Sequence, residues 1–270
     1  MRSAWVIACL VVVGCTKPDP ADIVRPLEST LGAAVPAAYF AAVSMAALDG
    51  RVSPCANVVT PTSSGGPVRV DVSLGAGCPQ MFGSDESGTL VVTGTWTPQL
   101  ATFVMSFTGL SYGGREMLVV GIGSMTVAPM NTTHLLIGYG AEDIMVATGG
   151  TMGGGVQQTA WVVDVDTLGT DDPTDDTITI SGGDQSLLAI GGNKPAADVT
   201  QVALGNAVFR SGCRKNPTSG LAAVQRAGNE GGGWLLFNFH AACDGNTDVI
   251  GAMAPYELLL GDSIPLGFLQ

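Results

Sequence analysis

The sequence predicts a mainly β protein: an antiparallel meander that forms a sandwich, a curved sheet or a partly open barrel, with a short N-terminal helical segment. From residue 68 onward, apolar and polar residues alternate with a period of two, which indicates strands with one buried and one solvated face. Turns rich in Gly and Asn separate these runs at short intervals, as in hairpins. Charged residues make up only 13% and hydrophobic ones 46%, which excludes a disordered chain.

The helical segment covers residues 21–50, which are rich in Ala, Leu and Met. Pro26 and Pro36 are unsuited to a helix interior, so we expect two short helices at about 22–34 and 37–48. The apolar residues near helical spacing, which we expect to pack onto the sheet, are Leu27, Leu31, Tyr39 and Val43.

The β domain covers residues 51–270. In Val68–Leu74 the alternation has no fault. Trp161, Val163 and Val165 lie on the face opposite Gln158, Asp164 and Asp166. Gly, Asn, Lys, Pro and Ala accumulate near residues 181–199, so a division into two sub-sheets at that point stays open.

Residues 1–14 have the features of an export leader. Arg2 is followed by an uncharged apolar run, Ala4–Val13, of about half the ~20 residues that a membrane-spanning helix needs. The tetrapeptide at the end of this run, Val12-Val13-Gly14-Cys15, resembles the lipobox of bacterial lipoproteins. An ordinary signal peptide, with Cys15 incidental, is the alternative.

The lipobox resemblance implies that the chain is cut after Gly14 and that Cys15 carries acyl chains such as palmitate. Two or three acyl chains hold a protein on a bilayer firmly, and residues 15–20 would form the tether. In enteric lipoproteins an Asp after the Cys favours the inner membrane. Thr16 stands there, so the resemblance implies a bacterial cell envelope protein, with the outer membrane favoured over the inner.

Four cysteines remain after Cys9 leaves with the leader and Cys15 is lipidated. An even number of cysteines in an exported protein predicts two disulfides, with three connectivities possible. We favour the pairs that close short loops and bracket one hairpin each. These pairs are Cys55–Cys78 and Cys213–Cys243. The absence of a CxxC motif argues against zinc.

The formal net charge is −12, and loss of Arg2 with the leader makes it −13. Phosphate backbones require clustered Lys and Arg, whereas the basic residues here are scattered. We therefore expect no nucleic-acid partner.

The sequence lacks the residue sets of the common catalytic sites. A Ser or Cys nucleophile needs a base, usually His, and only His134 and His240 exist. The letters GxSxG occur once, at Gly109-Leu110-Ser111-Tyr112-Gly113, but strand-like runs lie on both sides, whereas a nucleophile elbow needs a helix after its serine. The HExxH, SxxK, P-loop and GxGxxG motifs are absent. We expect no enzyme, no catalytic residue, no cofactor and no metal ion. Asn238 with His240 is an alternative site for a polar ligand, but exposed aromatic platforms for a sugar are almost absent.

The densest polar cluster is Asp164–Asp176. It resembles an EF-hand calcium loop only in part, because Leu168 occupies a ligand position and strands rather than helices flank the loop. The residues that match ligand or glycine positions are Asp164, Asp166, Gly169, Asp172 and Asp175. We favour a solvated hairpin tip and assign no calcium site.

These expectations combine into one function: a lipid-anchored envelope protein whose disulfide-stapled β domain has a non-enzymatic binding or structural role. Its partners would be the membrane, through acyl chains on Cys15, and a protein or other envelope component. The alternative is a carrier of a hydrophobic or lipid ligand in a β cavity. Its lining would come from Phe103, Met105, Phe107, Met117 and Met125, although a filled core explains these residues equally simply.

Overall fold

A computed structural model describes the chain with gaps, and side-chain burial chiefly from residue 160 onward. The described residues are 24, 26–28, 30–31, 34, 56–59, 67–74, 87–96, 101–112, 115–120, 123–129, 134–148, 151–170, 175–187, 199–210, 213, 216–226, 233–253 and 257–266.

The fold is mainly β, and the described residues include fourteen strands that form one antiparallel sheet. One turn of 3-10 helix, Glu257–Leu259, precedes the last strand. The strands are β1 Ala56–Val59, β2 Pro67–Leu74, β3 Ser87–Trp96, β4 Ala101–Tyr112, β5 Arg115–Val120, β6 Gly123–Pro129, β7 His134–Thr148, β8 Thr151–Asp166, β9 Thr177–Leu187, β10 Val199–Phe209, β11 Ser219–Arg226, β12 Gly233–Phe239, β13 Asn246–Ala252 and β14 Ser263–Pro265.

The strands follow one another in space as they do in the sequence. The one irregularity in the order is that β5 and β6 lie end to end between the long strands β4 and β7. Together they act as one interrupted strand, so the prediction of an antiparallel meander is confirmed. Among the described pairings, β1 and β14 each have a single neighbour, so the sheet is open at both edges.

The N-terminal helix presents one buried side. Val24, Leu27, Leu31 and Ala34, spaced by three or four residues, are 4% exposed or less. This spacing places them along one stripe of a helix. Leu27 and Leu31 are therefore buried as expected, whereas the predicted helix at 37–48, with Tyr39 and Val43, lies outside the described residues. Pro26 is helical and comes early in the predicted span 22–34, where a missing N–H costs little.

One face of the sheet, which we call the inner face, forms the core from β8 to β14. In β12 the buried residues alternate with more exposed ones along the whole strand. Trp161, Phe209 and Phe237 are the largest of the fully buried side chains in the described strands. Burial of aromatic residues of this size stabilises a fold by a few kcal/mol each, on the order of 25 cal/mol per Å² of apolar surface.

A β-bulge changes the phase of β10 midway along the strand. Val202 and Leu204 are buried before it, and Ala207 and Phe209 after it. Asn206 is the extra residue: the register shifts against both neighbouring strands at this point, and its φ is 52°. Asn tolerates this left-handed backbone better than most residues.

Two glycines allow the neighbouring strands to approach the bulged ones. Gly220 of β11 has a φ of 108°, and a Cβ on it would collide with the Asn206 carbonyl group. Gly182 of β9 has a φ of 121°, and a Cβ on it would collide with the Ala160 carbonyl group, next to a bulge in β8. Bulges paired with glycines are a known means of curving a sheet.

The sheet continues across the proposed division near residues 181–199. Val199 of β10 pairs with Leu187 of β9, although residues 188–198 between them lie outside the described residues. The division of the chain into domains stays a prediction.

Candidate functional site

Three consecutive hairpins close at the same end of the sheet, because each strand reverses the direction of the one before it. They follow β8, β10 and β12. A disulfide joins the second to the third: Cys213 and Cys243 are bonded, with their Cα atoms 5.4 Å apart. Cys213 is 3% exposed, whereas Cys243 is an exposed residue. The bond therefore connects the core to the surface across β11.

Asn216 holds the same two hairpins together by hydrogen bonds. Its side chain is fully buried. Its Oδ1 accepts a bond of 3.0 Å from the Gly245 N–H, and its Nδ2 donates to the carbonyl oxygens of Pro217 at 2.8 Å and Ala242 at 3.2 Å. A buried amide with donors and acceptors satisfied is strongly stabilising relative to its removal. The hairpin end is thus closed twice, covalently and by this amide.

An ionisable group of the third hairpin lies beside the disulfide. The Asn246 backbone N–H donates to Asp244 Oδ1 at 2.9 Å, and this bond lowers the pKa of the fully exposed Asp244 carboxyl below its usual value. The imidazole Nε2 of His240 lies 3.9 Å from Asp248 Oδ1. A single half-buried imidazole near exposed carboxylates suits a surface ion pair. The prediction that the protein has no catalytic residue remains a prediction.

In the acidic hairpin after β8, the described residues form local hydrogen bonds. The Thr170 N–H donates to the Thr167 carbonyl at 3.0 Å around Leu168 and Gly169, whose φ values are 51° and 73°. These values are typical of a type I′ hairpin turn. The Leu168 N–H donates to Asp166, and the Thr170 hydroxyl donates to Asp175 at 2.7 Å. Within the described part, which leaves out residues 171–174, no cluster of three or more metal-ligating side chains occurs.

The face opposite the core, the outer face, carries a continuous row of small residues from β8 to β13. The row is defined by strand register, and only one of its members is larger than alanine. Its members are Ala160, Gly183, Ala203, Ala223, Leu236 and Gly251. Neighbouring strands lie about 4.8 Å apart, so the row is roughly 24 Å long.

Amide side chains lie on both sides of this row. On one side Gln201 pairs with Gln225, and both are exposed. Backbone pairing extends that line to Gln185 and Gln157. On the other side are Asn238, which lies two residues after Leu236 in β12, and Asn206, which lies three residues after Ala203 in β10 because the bulge adds one residue. The two lines are about 13 Å apart at their Cα atoms, since a strand rises about 3.3 Å per residue.

Trp234 ends the glutamine line. It pairs with Gln225 and is 37% exposed. A Cβ built on Gly251 would lie 3.0 Å from Cζ3 and 3.2 Å from Cη2 of Trp234, so the indole covers the place where a side chain of residue 251 would stand. The small residue thus allows an aromatic ring to lie across β13 on the outer face.

We call this surface the amide groove. Its floor is the row of small residues, its walls are the Gln and Asn lines, and Trp234 stands at one end. The asparagine side continues through Leu221 and Asp248, each of which pairs directly with Asn238, so this side also carries an apolar residue and a carboxylate. Long side chains beside short ones leave a shallow depression, and amides both donate and accept hydrogen bonds.

The structure brings together only two of the residues proposed as sites from the sequence. Cys213 and Cys243 form the bond that we favoured. The other predicted site residues, Cys15, Cys55 and Cys78, lie outside the described residues.

The sequence analysis missed the amide groove and Asn216. The sequence contained one indication of this surface, because Trp234, Leu236 and Asn238 lie on the same, more exposed face of β12. The register that places them beside Gln225 and Gly251 is not visible in the sequence.

The residues expected to line a lipid cavity lie in β4, β5 and β6. Phe103 pairs with Met125, and Met117 of β5 pairs with Leu110 of β4. Their side chains lie outside the described part of the structure, so a hydrophobic-ligand carrier remains an untested alternative.

Comparison with known proteins gives no relative. No family model, curated protein or solved structure matches this chain. Within the described ranges, no helix has the length and apolar character needed to cross a membrane.

Proposed function

We propose that this protein is a bacterial envelope lipoprotein, anchored by acyl chains on Cys15, whose β domain binds a partner without catalysing a reaction. The observation that carries the proposal is the Cys213–Cys243 disulfide. Disulfides persist in oxidising compartments outside the cytoplasm. This agrees with the export leader, which was identified from different residues.

The arrangement of the domain supports a binding role. The inner face of β8–β14 is occupied by large buried side chains, while the outer face exposes Trp234 and other apolar residues among amides. Exposed apolar residues grouped on one face often mark a binding site.

Metabolic labelling with a clickable palmitate analogue tests the anchor. Wild-type protein should be labelled, and Cys15→Ser should lose the label. Cys9→Ser is the matched control: it lies in the leader that is removed, so labelling should persist.

Two results would contradict the proposal. One is equal labelling of the Cys15→Ser and wild-type proteins. The other is recovery of an unacylated mature chain that begins at another residue, since an ordinary signal peptide would produce it.

A further inference from the structure

We infer that the Cys213–Cys243 disulfide is a site of thiol–disulfide exchange, at which a dithiol oxidoreductase attacks the sulfur of Cys243. The proposed function uses this bond only as a sign of export, so the inference goes beyond that function. Three observations carry it. The bond joins an exposed cysteine to a buried one, its two ends have neighbours of opposite charge, and Asn216 holds the same two hairpins together without it.

Access to the bond is one-sided. Cys243 is exposed, and so are its neighbours Ala242 and Asp244, whereas Cys213 is 3% exposed. Exchange begins when a thiolate reaches one of the two sulfurs, so its rate depends on access to that sulfur. A thiol of another protein therefore meets this bond from the side of Cys243 while the domain stays folded.

Charge favours the same direction of attack. The Cys213 N–H donates to the carbonyl oxygen of the exposed Arg210 at 2.9 Å, and Arg214 follows Cys213 directly in the sequence. Cys243 is followed instead by the fully exposed carboxylate of Asp244. A departing thiolate is stabilised by nearby cations and destabilised by nearby anions. Charge thus makes Cys213 the better leaving group and Cys243 the better target.

The exchange balances with the dithiol as its only reductant. The partner's thiolate attacks Cys243 Sγ, a mixed disulfide forms between the two proteins, and the electron pair of the broken bond stays on Cys213 Sγ. Burial disfavours this thiolate, so it takes a proton from water. The resulting S–H can donate to the Asn216 carbonyl oxygen, which lies 3.1 Å from this sulfur.

A second attack completes the reaction. The partner's other thiol loses its proton to water and attacks the partner's own sulfur in the mixed disulfide. The partner then leaves with an intramolecular disulfide, and Cys243 leaves as a thiolate that takes up a proton. Two electrons and two protons have passed from the partner to the cysteine pair.

Asn216 makes the exchange reversible. Its hydrogen bonds to Ala242 and Gly245, on either side of Cys243 in the chain, involve no sulfur atom. These bonds persist when the disulfide is open, so the hairpins stay together and the two thiols stay close enough to be oxidised again.

The test follows exchange in the full chain carrying Cys15→Ser. The probe is a thioredoxin-type protein whose second active-site cysteine is replaced by serine, which traps the mixed disulfide. After alkylation, peptide mass spectrometry locates the trapped probe and the freed thiol, and it separates this bond from the other cysteines. We expect the probe on Cys243 and the free thiol on Cys213, with at least tenfold more adduct at Cys243 than at Cys213.

A urea series distinguishes attack on the folded protein from attack after unfolding. If the bond is reached in the folded state, the rate should change less than about twofold at urea concentrations below the unfolding transition. A bond reached only by global unfolding would react roughly tenfold faster for each molar increase in urea, because the unfolded fraction rises by that factor.

Variants test the roles of charge and of the amide. Arg210→Gln should slow formation of the adduct roughly two- to threefold, because the leaving thiolate loses a nearby cation. Arg69→Gln is the matched control: its side chain is 56% exposed, it lies in β2, and the rate should stay unchanged. After reduction, Asn216→Ala should re-form the Cys213–Cys243 bond at least tenfold more slowly than the wild type. Circular dichroism verifies folding, and the urea series and Arg210→Gln carry the test if Asn216→Ala unfolds.

Three results would overturn the inference: adduct formation only after unfolding in urea, equal adduct on the two cysteines, or equal rates for Arg210→Gln and Arg69→Gln. Equal reoxidation of Asn216→Ala and the wild type would refute the role of the amide in reversibility. Because the exchange is measured on a chain without the anchor, palmitate labelling and exchange succeed or fail independently.

Discussion

The inner and outer faces of β8–β13 differ in side-chain size and polarity: large buried side chains such as Phe209 and Phe237 occupy the inner face, whereas the outer face carries a row of small residues beside polar ones. On the inner face Phe237 pairs with Val249 and lies within the core. One residue earlier on the outer face, Leu236 pairs with Gly251 and is only half-buried. The comparison teaches that side-chain size and polarity together separate the packed face from the solvated one. Large side chains fill an interior to close-packed density, whereas small ones leave room above the sheet.

The neighbouring residues Phe237 and Leu236 give the largest expected contrast. Phe237→Ala should lower the free energy of unfolding by about 3–5 kcal/mol, because it removes a fully buried ring and leaves a cavity. Leu236→Ala should cost about 1 kcal/mol, since its side chain is already partly hydrated. Urea denaturation measures both values. Equal losses would show that the two faces are packed alike.

The Cys213–Cys243 disulfide joins a buried cysteine to an exposed one. Replacing both Cys213 and Cys243 with Ser should cost about 3 kcal/mol, because the bond closes a loop with a sequence separation of 30. Thermal unfolding with and without reductant measures the effect. In reductant the two proteins should have the same stability, because the Cys213–Cys243 bond is then absent from both. If reductant destabilised the double variant as much as the wild type, the loss would come from another bond.

The bulge of β10 allows the smallest and most local test. Gly220→Ala should cost about 2 kcal/mol, because φ is 108° and the new Cβ would meet the Asn206 carbonyl and lie 2.9 Å from Ala207 Cα. Gly205→Ala is the matched control: its Cβ would find only ordinary contacts with Leu221 at 3.8 Å, so the change should be within about 0.5 kcal/mol. Chemical denaturation of the two variants measures the difference. Similar values would mean that the backbone of Gly220 is not constrained by the bulge.

Much of the strand content was predictable because short-range alternation records which side of a strand is buried. Trp161, Val163 and Val165 are buried on one face of β8, and Asp164 and Asp166 are half-buried on the other, as the sequence predicts. The same reasoning fails at Asn206, where one extra residue reverses the phase of β10. A bulge is set by the neighbouring strands, and no pattern within β10 announces it.

The amide groove was not predictable for a related reason. In the sequence, Trp234 looks like one more apolar residue of a strand. Its neighbours Gln225 and Gly251 lie nine residues before it and seventeen residues after it in the chain. Only cross-strand register places them together, and register depends on turn geometry and packing as well as on alternation.

The sequence by itself determined that the chain forms an antiparallel meander, because a period of two and frequent hairpin turns act over neighbouring residues. It also favoured, among the three possible disulfide connectivities, the one whose bonds close short loops. The tertiary structure decided which side chains lie next to one another across the strands and where a bulge reverses the alternation of buried and exposed residues. It also decided how Asn216 reinforces the disulfide. Those features depend on contacts between residues far apart in the chain, and such contacts become defined only when the whole sheet has assembled.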